Sequence, residues 1–194
     1  SIRSSAFSIP RKAIATRYGF QLQVGRSVGH REMQIGSYER EESEVIRAHL
    51  EQADVLVDVG ANIGLYACLA GSMGKHAIAI EPQAKNLRLL YANLTGNGYD
   101  HVEVYPVGLS DKPGLAPLYG ASATGASLVA GRDRELLKFR STIPITTLDI
   151  LLGDRLADRK LLIKLDVEGA EYQALRGARV TLDRRPHPTW LVEI

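Results

Sequence analysis

Cys68 is the only cysteine in this chain of 194 residues. No disulfide can form within the chain, and one thiol with five scattered histidines does not assemble a zinc site. No metal site is expected. No apolar run approaches the roughly 18 residues that cross a bilayer. Ser1 to Ser8 are polar and lack the apolar core of a secretion signal. There is no initiator methionine, no internal repeat and no low-complexity tract. Neither sign of charge dominates, since Lys and Arg exceed Asp and Glu by only two. That balance gives no argument for nucleic acid, and neither nucleic acid nor a membrane is expected as a partner. A reducing, cytoplasmic setting is expected.

What remains is ordinary globular material, 45% hydrophobic and 24% charged, enough for one domain with a proper core. Residues 1–53 read as a lead-in. Phe20 to Val24 alternates like a half-buried strand. Tyr38 to Leu50 reads as a helix with Glu39, Glu41 and Glu42 in its first turns, where the dipole favours acids. Val45, Ile46, His49 and Leu50 form its expected apolar face, with His49 packed at the edge.

Residues 54–194 read as the second unit, and from Asp54 the rhythm becomes strand, helix, strand, helix. Val55–Val59, Ala77–Ile80, Val102–Val107, Leu161–Leu165 and Thr189–Ile194 are the expected core strands. Helices are expected from about Ile63 to Gly74, around Leu87–Leu94, over Leu148–Leu156 and over Ala170–Leu182. Continuous apolar strands between helices predict a doubly wound, mostly parallel sheet covered on both faces. Leu115–Tyr119 and Ile143–Thr146 break the rhythm and predict an antiparallel pair. Ala121 to Arg140 reads as a mobile loop facing the acceptor. A sheet of this kind usually carries two further strands after the fifth, and they are missing from this sequence.

The chemistry concentrates at the carboxyl ends of those strands, where open parallel sheets bind ligands. Asp58-Val59-Gly60-Ala61-Asn62-Ile63-Gly64 is a strand, a glycine turn and a helix start. Gly60 and Gly64 suit positive φ, or a place where a Cβ would meet a ligand. An acid at the strand end departs from the G-x-G-x-x-G of dinucleotide sites and favours a cationic group or hydroxyls. Asn62 either binds the ligand or caps the helix. Glu81-Pro82 ends the second strand, 23 positions after Asp58, the spacing of an acid that accepts ribose hydroxyls. Val107-Gly108 ends the third. Asp166 and Glu168 follow the fourth, where a carboxylate can orient an acceptor hydroxyl, accept its proton, or bind a metal ion that does so. Alternation puts Lys164 on the side of Asp166, so an ion pair is expected.

These segments, with Gly36-Ser37-Tyr38-Glu39, Leu109-Ser110-Asp111, Thr147-Leu148-Asp149 and Lys164-Leu165-Asp166-Val167-Glu168-Gly169-Ala170-Glu171, resemble the FkbM family of S-adenosylmethionine (SAM) methyltransferases over roughly residues 35–194. The resemblance implies a class I, Rossmann-like methyltransferase fold, SAM as methyl donor, and O-methylation of a small-molecule or saccharide hydroxyl. Asp58, Gly60, Ala61, Asn62, Gly64, Glu81, Pro82, Val107 and Gly108 are then the expected cofactor residues, and Asp166, Glu168 and Lys164 the expected catalytic ones. An NAD-dependent oxidoreductase and a non-catalytic SAM-binding module are the alternatives.

Overall fold

The computed structural model describes residues 13–24, 40–119 and 140–193. The chain enters through an antiparallel hairpin, β1 (Ile14–Ala15) and β2 (Gln21–Leu22). Phe20, Leu22 and Val24 point into the core while Gln21 and Gln23 point outward. The alternation foretold β2, but its partner β1 had no comparable pattern. Helix α1 (Arg40–Gln52) follows. Its buried stripe is Ser43, Ile46 and Leu50, with Ala53 buried just beyond. Val45 and His49 are exposed, because steps of three and four residues from Ser43 leave them off the inward stripe.

The central sheet follows the expected rhythm. Strand β3 (Val55–Val59) leads through α2 (Leu65–Ser72) to β4 (His76–Ile80), then through α3 (Ala84–Asn97) to β5 (Val102–Tyr105). After the excursion described below, α4 (Leu148–Leu152), β9 (Leu161–Leu165), α5 (Glu171–Arg176), α6 (Arg179–Leu182) and β10 (Thr189–Val192) complete the described chain. The strand order is β10-β9-β3-β4-β5, and every pairing is parallel. This is the expected doubly wound α/β sheet, with β10 and β5 at its edges. The winding direction reverses between β3 and β9, so the carboxyl ends of these two strands flank the switch point.

Every residue of β3 and β9 is buried, as a sheet covered on both faces demands. Alternation sorts the side chains. Leu56 and Leu162 join the core under the hairpin, α1 and α2, whereas Val55, Val57, Val59, Leu161, Ile163 and Leu165 join the core with Leu148, Leu152 and Ala174.

Several boundaries differ from the sequence reading, each for a local reason. Helix α2 starts at Leu65, not Ile63, because Asn62 and Gly64 both take positive φ. Strand β5 stops at Tyr105, before Pro106, which has no N–H for the ladder. Gly108–Leu109 then forms β6 in a second sheet. There, β7 (Gly114–Tyr119) and β8 (Arg140–Thr146) pair antiparallel, as expected, with Leu115 opposite Pro144 and Tyr119 opposite Arg140. The Ala121–Arg140 loop lies outside the described residues, apart from the backbone of Arg140. The helix at Leu148 ends at Leu152, where Gly153 takes positive φ. The single helix expected over Ala170–Leu182 is two, parted at Gly177. A Cβ at Gly177 would lie 2.1 Å from the Ser110 carbonyl oxygen, so glycine is needed for the close approach and its helix-breaking tendency comes with it.

Candidate functional site

A cavity opens beyond the carboxyl ends of β3, β4 and β9. It is an open cleft, with about 610 Å³ of space between its walls when the solvent at its mouth is included. Val59, Gly60 and Asn62 line one side, and Ile80, Glu81, Pro82 and Asn86 line the next. Val107, Gly108, Leu109 and Leu118 add an apolar stretch, and Asp166, Val167 and Glu168 complete the lining. Eight of the residues expected from sequence therefore meet in one cavity: Gly60, Asn62, Glu81, Pro82, Val107, Gly108, Asp166 and Glu168. Asp58, Ala61, Gly64 and Lys164 do not line it.

The glycine turn is held by protein contacts. Gly60 and Gly64 take φ of +84° and +89°. A Cβ on Gly60 would sit 1.8 Å from the Asp166 carbonyl oxygen, and one on Gly64 would sit 2.5 Å from Leu90 Cδ1. These glycines let the turn approach the protein itself. The Gly60 and Ala61 N–H groups both donate to the Ile80 carbonyl, at 2.9 and 3.0 Å, which ties the turn to the end of β4.

Asn62 at φ +51° is an uncommon conformation for a side chain other than glycine, one that Asn tolerates. Its N–H donates to Glu81 Oε2 at 2.9 Å. Its side-chain oxygen is buried and accepts no hydrogen bond among the described residues. Asn62 does not cap α2, because the residue in the cap position is Gly64.

Glu81 is buried, and its other oxygen accepts the Gln83 N–H at 2.8 Å. Burial pushes its carboxyl up to about 7; the Gln83 and Asn62 N–H groups and the Asn86 side chain oppose this, while Asp58 adds to it. The donors fix the carboxylate in place, and each oxygen keeps acceptor capacity for hydroxyls.

Behind the cavity lies a buried charge cluster. Asp58 and Lys164 are register partners on β3 and β9, on the face that also carries Leu56 and Leu162. Lys164 Nζ is 2.8 Å from Asp166 Oδ2, 3.9 Å from Glu42 Oε1 of α1, and 5.2 Å from the centre of the Tyr66 ring. The expected ion pair is present. Burial opposes the Lys164 charge, but Asp58, Asp166 and Glu42 together hold its pKa above the usual lysine value. Asp166 therefore joins two environments, with its carboxylate bound to a buried lysine while the residue lines the cavity.

The turn after β9 is braced by Glu171, which reading by residue left without a role. Its Oε1 accepts the Val167 N–H at 3.1 Å and the Gly169 N–H at 3.0 Å. These bonds hold Glu168 at φ +54°. In the Thr147-Leu148-Asp149 motif, Thr147 caps α4 by accepting the Ile150 N–H, and Asp149 accepts the Val180 and Thr181 N–H groups at the start of α6. Asn86 and Leu118 are cavity residues that the sequence reading did not single out, and Leu109 was quoted there only as part of a motif. Asn86 left a trace as a polar residue five positions after Glu81, on the helix that follows it.

The model of the "Methyltransferase FkbM domain" matches residues 58–194. The chain belongs to the FkbM methyltransferase family. SAM is the methyl donor that membership of this methyltransferase family implies. This FkbM chain is 32% identical over 160 residues to the AMB antimetabolite synthetase AmbE of Pseudomonas aeruginosa, covering 63% of this chain and 8% of AmbE. It is 31% identical over 146 residues to the hexuronic acid methyltransferase AglP of Haloferax volcanii, covering 71% of this chain and 56% of AglP. The chain thus spans only a small part of AmbE and little over half of AglP. A SAM-dependent methyltransferase from Agrobacterium tumefaciens superposes with a TM-score of 0.43 at 11% identity, over 78% of this chain and 38% of that one. Among the described residues, no helix is long and apolar enough to cross a membrane.

The residues of the cavity suit the methyl donor. Glu81 offers a fixed carboxylate to ribose hydroxyls, and the buried Asn62 oxygen offers an acceptor to an ammonium group. Leu109, Leu118 and Val107 offer an apolar slot to a purine. A ribose-binding carboxylate at Glu81 suits SAM and NAD alike, and it is the missing third glycine of a dinucleotide turn that argues for this ligand over a pyrophosphate.

Proposed function

We propose that this domain methylates a hydroxyl oxygen of a small molecule or a saccharide. The carrying observation is that Glu81 and Asp166, which follow different strands of the sheet, line one cavity at the switch point. In this reading the first holds an adenosyl ligand and the second meets an acceptor. In the reaction, the acceptor oxygen gains the methyl carbon as the carbon–sulfur bond of the donor breaks, and its hydroxyl proton passes to a base. Asp166 is that base in this reading, with Glu168 as the second carboxylate within the same wall. Lys164 orients Asp166 from behind. Gly60, Ala61 and Gly64 shape the turn, and Asp58 balances the Lys164 charge. Most of the rate comes from holding the two reactants in line, and positioned acid–base groups add about 10²–10⁴.

The name of AglP supports a saccharide acceptor. The described cavity wall carries Glu81, Asp166 and Glu168 but no Lys or Arg. It supports a hydroxyl acceptor without giving a uronate carboxylate a cationic partner. With a single free thiol, the protein needs no oxidising compartment, and the cytoplasm is the setting this reading implies.

Two measurements test the proposal. Calorimetry with SAM, S-adenosylhomocysteine (SAH) and NAD should show binding of the first two alone. Methyl-labelled SAM with a panel of neutral saccharides, uronates and hydroxylated small molecules should then label a hydroxyl. Binding of SAH without transfer to any member of a broad panel would favour a non-catalytic binding module. Binding of NAD alone would overturn the reading.

A further inference from the structure

Asn93 lies on α3, away from the cavity wall, and is buried. Its side chain makes three hydrogen bonds. Oδ1 accepts the Gln23 N–H at 2.6 Å, and Nδ2 donates to the Gln23 carbonyl at 3.1 Å and to the Ile63 carbonyl at 2.8 Å. One turn further along α3, Asn97 repeats half of this pattern. It accepts the Gln21 N–H at 2.8 Å and donates to the Gln21 carbonyl at 2.7 Å. Asn97 spends its other N–H on the Asn93 carbonyl at 2.7 Å.

Two amides at i and i+4 on one helix face thus take the place of a neighbouring strand. They satisfy the backbones of Gln21 and Gln23, which alternate with the buried side chains of Phe20, Leu22 and Val24. The two asparagines differ in one respect. Asn93 alone also reaches the glycine turn.

The bond to Ile63 falls at the most constrained point of that turn. Ile63 is fully buried, and it lies between Asn62 and Gly64, both at positive φ. The peptide joining Ile63 to Gly64 is fixed at both ends. Its carbonyl accepts from Asn93, and its N–H donates to the Ala61 carbonyl at 2.8 Å. A rotation of this peptide would redirect the start of α2 and move Asn62 relative to Glu81. Without Asn93, the Ile63 carbonyl would be buried with its acceptor unmet, and that drives such a rotation.

We infer that Asn93 is a positioning residue for the cofactor turn, and that it makes the Gln23 segment of the lead-in a working part of that site. This rests on SAM occupying the cavity beside Asn62 and Glu81. Reciprocity of coupling then requires that ligand at the turn also tighten the Gln23 arm.

The test compares Asn93→Leu with Asn97→Leu. Both remove a strand-like amide from the lead-in, and only the first frees the Ile63 carbonyl. In the ligand-free protein, Asn93→Leu should speed hydrogen exchange of the Gly64 amide by about tenfold or more, and should weaken SAH binding by about tenfold. Asn97→Leu should loosen Gln21 and leave both quantities within about twofold. If Asn93→Leu leaves both within twofold, or if Asn97→Leu changes them equally, the inference is wrong. In the wild-type protein, SAH should slow exchange of the Gln23 amide, which donates to Asn93. No change there overturns the inference even where Asn93→Leu does not fold. A wild-type protein that bound no SAH would defeat the proposed function instead, while Gly64 exchange in the free variants would still decide the role of Asn93.

Discussion

If Glu81 accepts the ribose hydroxyls as proposed, SAM binding should depend on pH near neutrality, and the sign follows from its surroundings. In the free protein, burial holds its carboxyl up to about 7, against 4.5 for an ordinary glutamate. Ribose hydroxyls donate to the ionised form and lower that value on binding. Binding therefore releases a proton over the pH range just below 7. Affinity for SAH should be flat above pH 8 and should fall as pH drops below about 7, by up to about tenfold per pH unit.

The same group affects folding with the opposite tendency. A carboxyl whose folded value lies above its unfolded value costs stability when ionised. That cost is complete above about pH 7 and is relieved as pH falls towards 4.5. At 1.36 kcal/mol for each pH unit, the interval corresponds to roughly 3 kcal/mol. Glu81→Gln should remove this pH dependence from both stability and binding. It should also weaken SAH binding at pH 8 by at least about tenfold, since hydrogen bonds to a charged acceptor are worth about 1.5–3 kcal/mol each. Calorimetry in two buffers of different ionisation enthalpy counts the released proton. Denaturant melts at pH 5.5 and pH 8 read the stability arm. A constant SAH affinity from pH 5.5 to pH 8.5 in the folded wild-type protein would refute the ribose assignment and the reasoning behind it.

Asp166→Asn should keep SAH affinity within a few fold and reduce turnover by about 10²–10⁴; full turnover on the true acceptor would leave Asp166 with a structural role only. Lys164→Met strands Asp58, Asp166 and Glu42 without their shared cation, so it should destabilise the fold by about 3–5 kcal/mol, and an unchanged melting temperature would show that the cluster is not coupled as described. Gly60→Ala places a Cβ 1.8 Å from the Asp166 carbonyl oxygen and should either abolish folding or cost more than about 4 kcal/mol. A stable Gly60→Ala protein that binds SAH normally would contradict the close approach of the turn to β9.

Much of this molecule was readable in its residues because the informative signals are local. Leu161–Leu165 is all apolar but for Lys164, and it is a buried strand with the predicted bounds. The antiparallel pairing of β7 with β8 was visible because their alternation interrupts the longer rhythm. Boundaries failed where the deciding contact came from elsewhere. Nothing near Gly177 announces that Ser110 will pass 2.1 Å from its missing Cβ.

The site shows the same division more sharply. Glu81, Asn62 and Asp166 reach one cavity because each follows a strand end, and strand ends are legible. Asp58 and Lys164 were read with them on the same ground, yet they sit one residue inside their strands. Alternation then puts them beside Leu56 and Leu162, on the face beneath α1 and α2. The sequence determines that Asp58 and Val59 face opposite ways, but which face the cavity opens on depends on how the whole sheet is covered. Asn93 was hidden for a related reason. Its two partners, Gln23 and Ile63, lie 70 and 30 positions away, and no spacing rule connects a helix asparagine to a turn and a lead-in segment at once. The residues that meet the ligand can therefore be found from motifs, while those that hold the motif in shape emerge only from the packing.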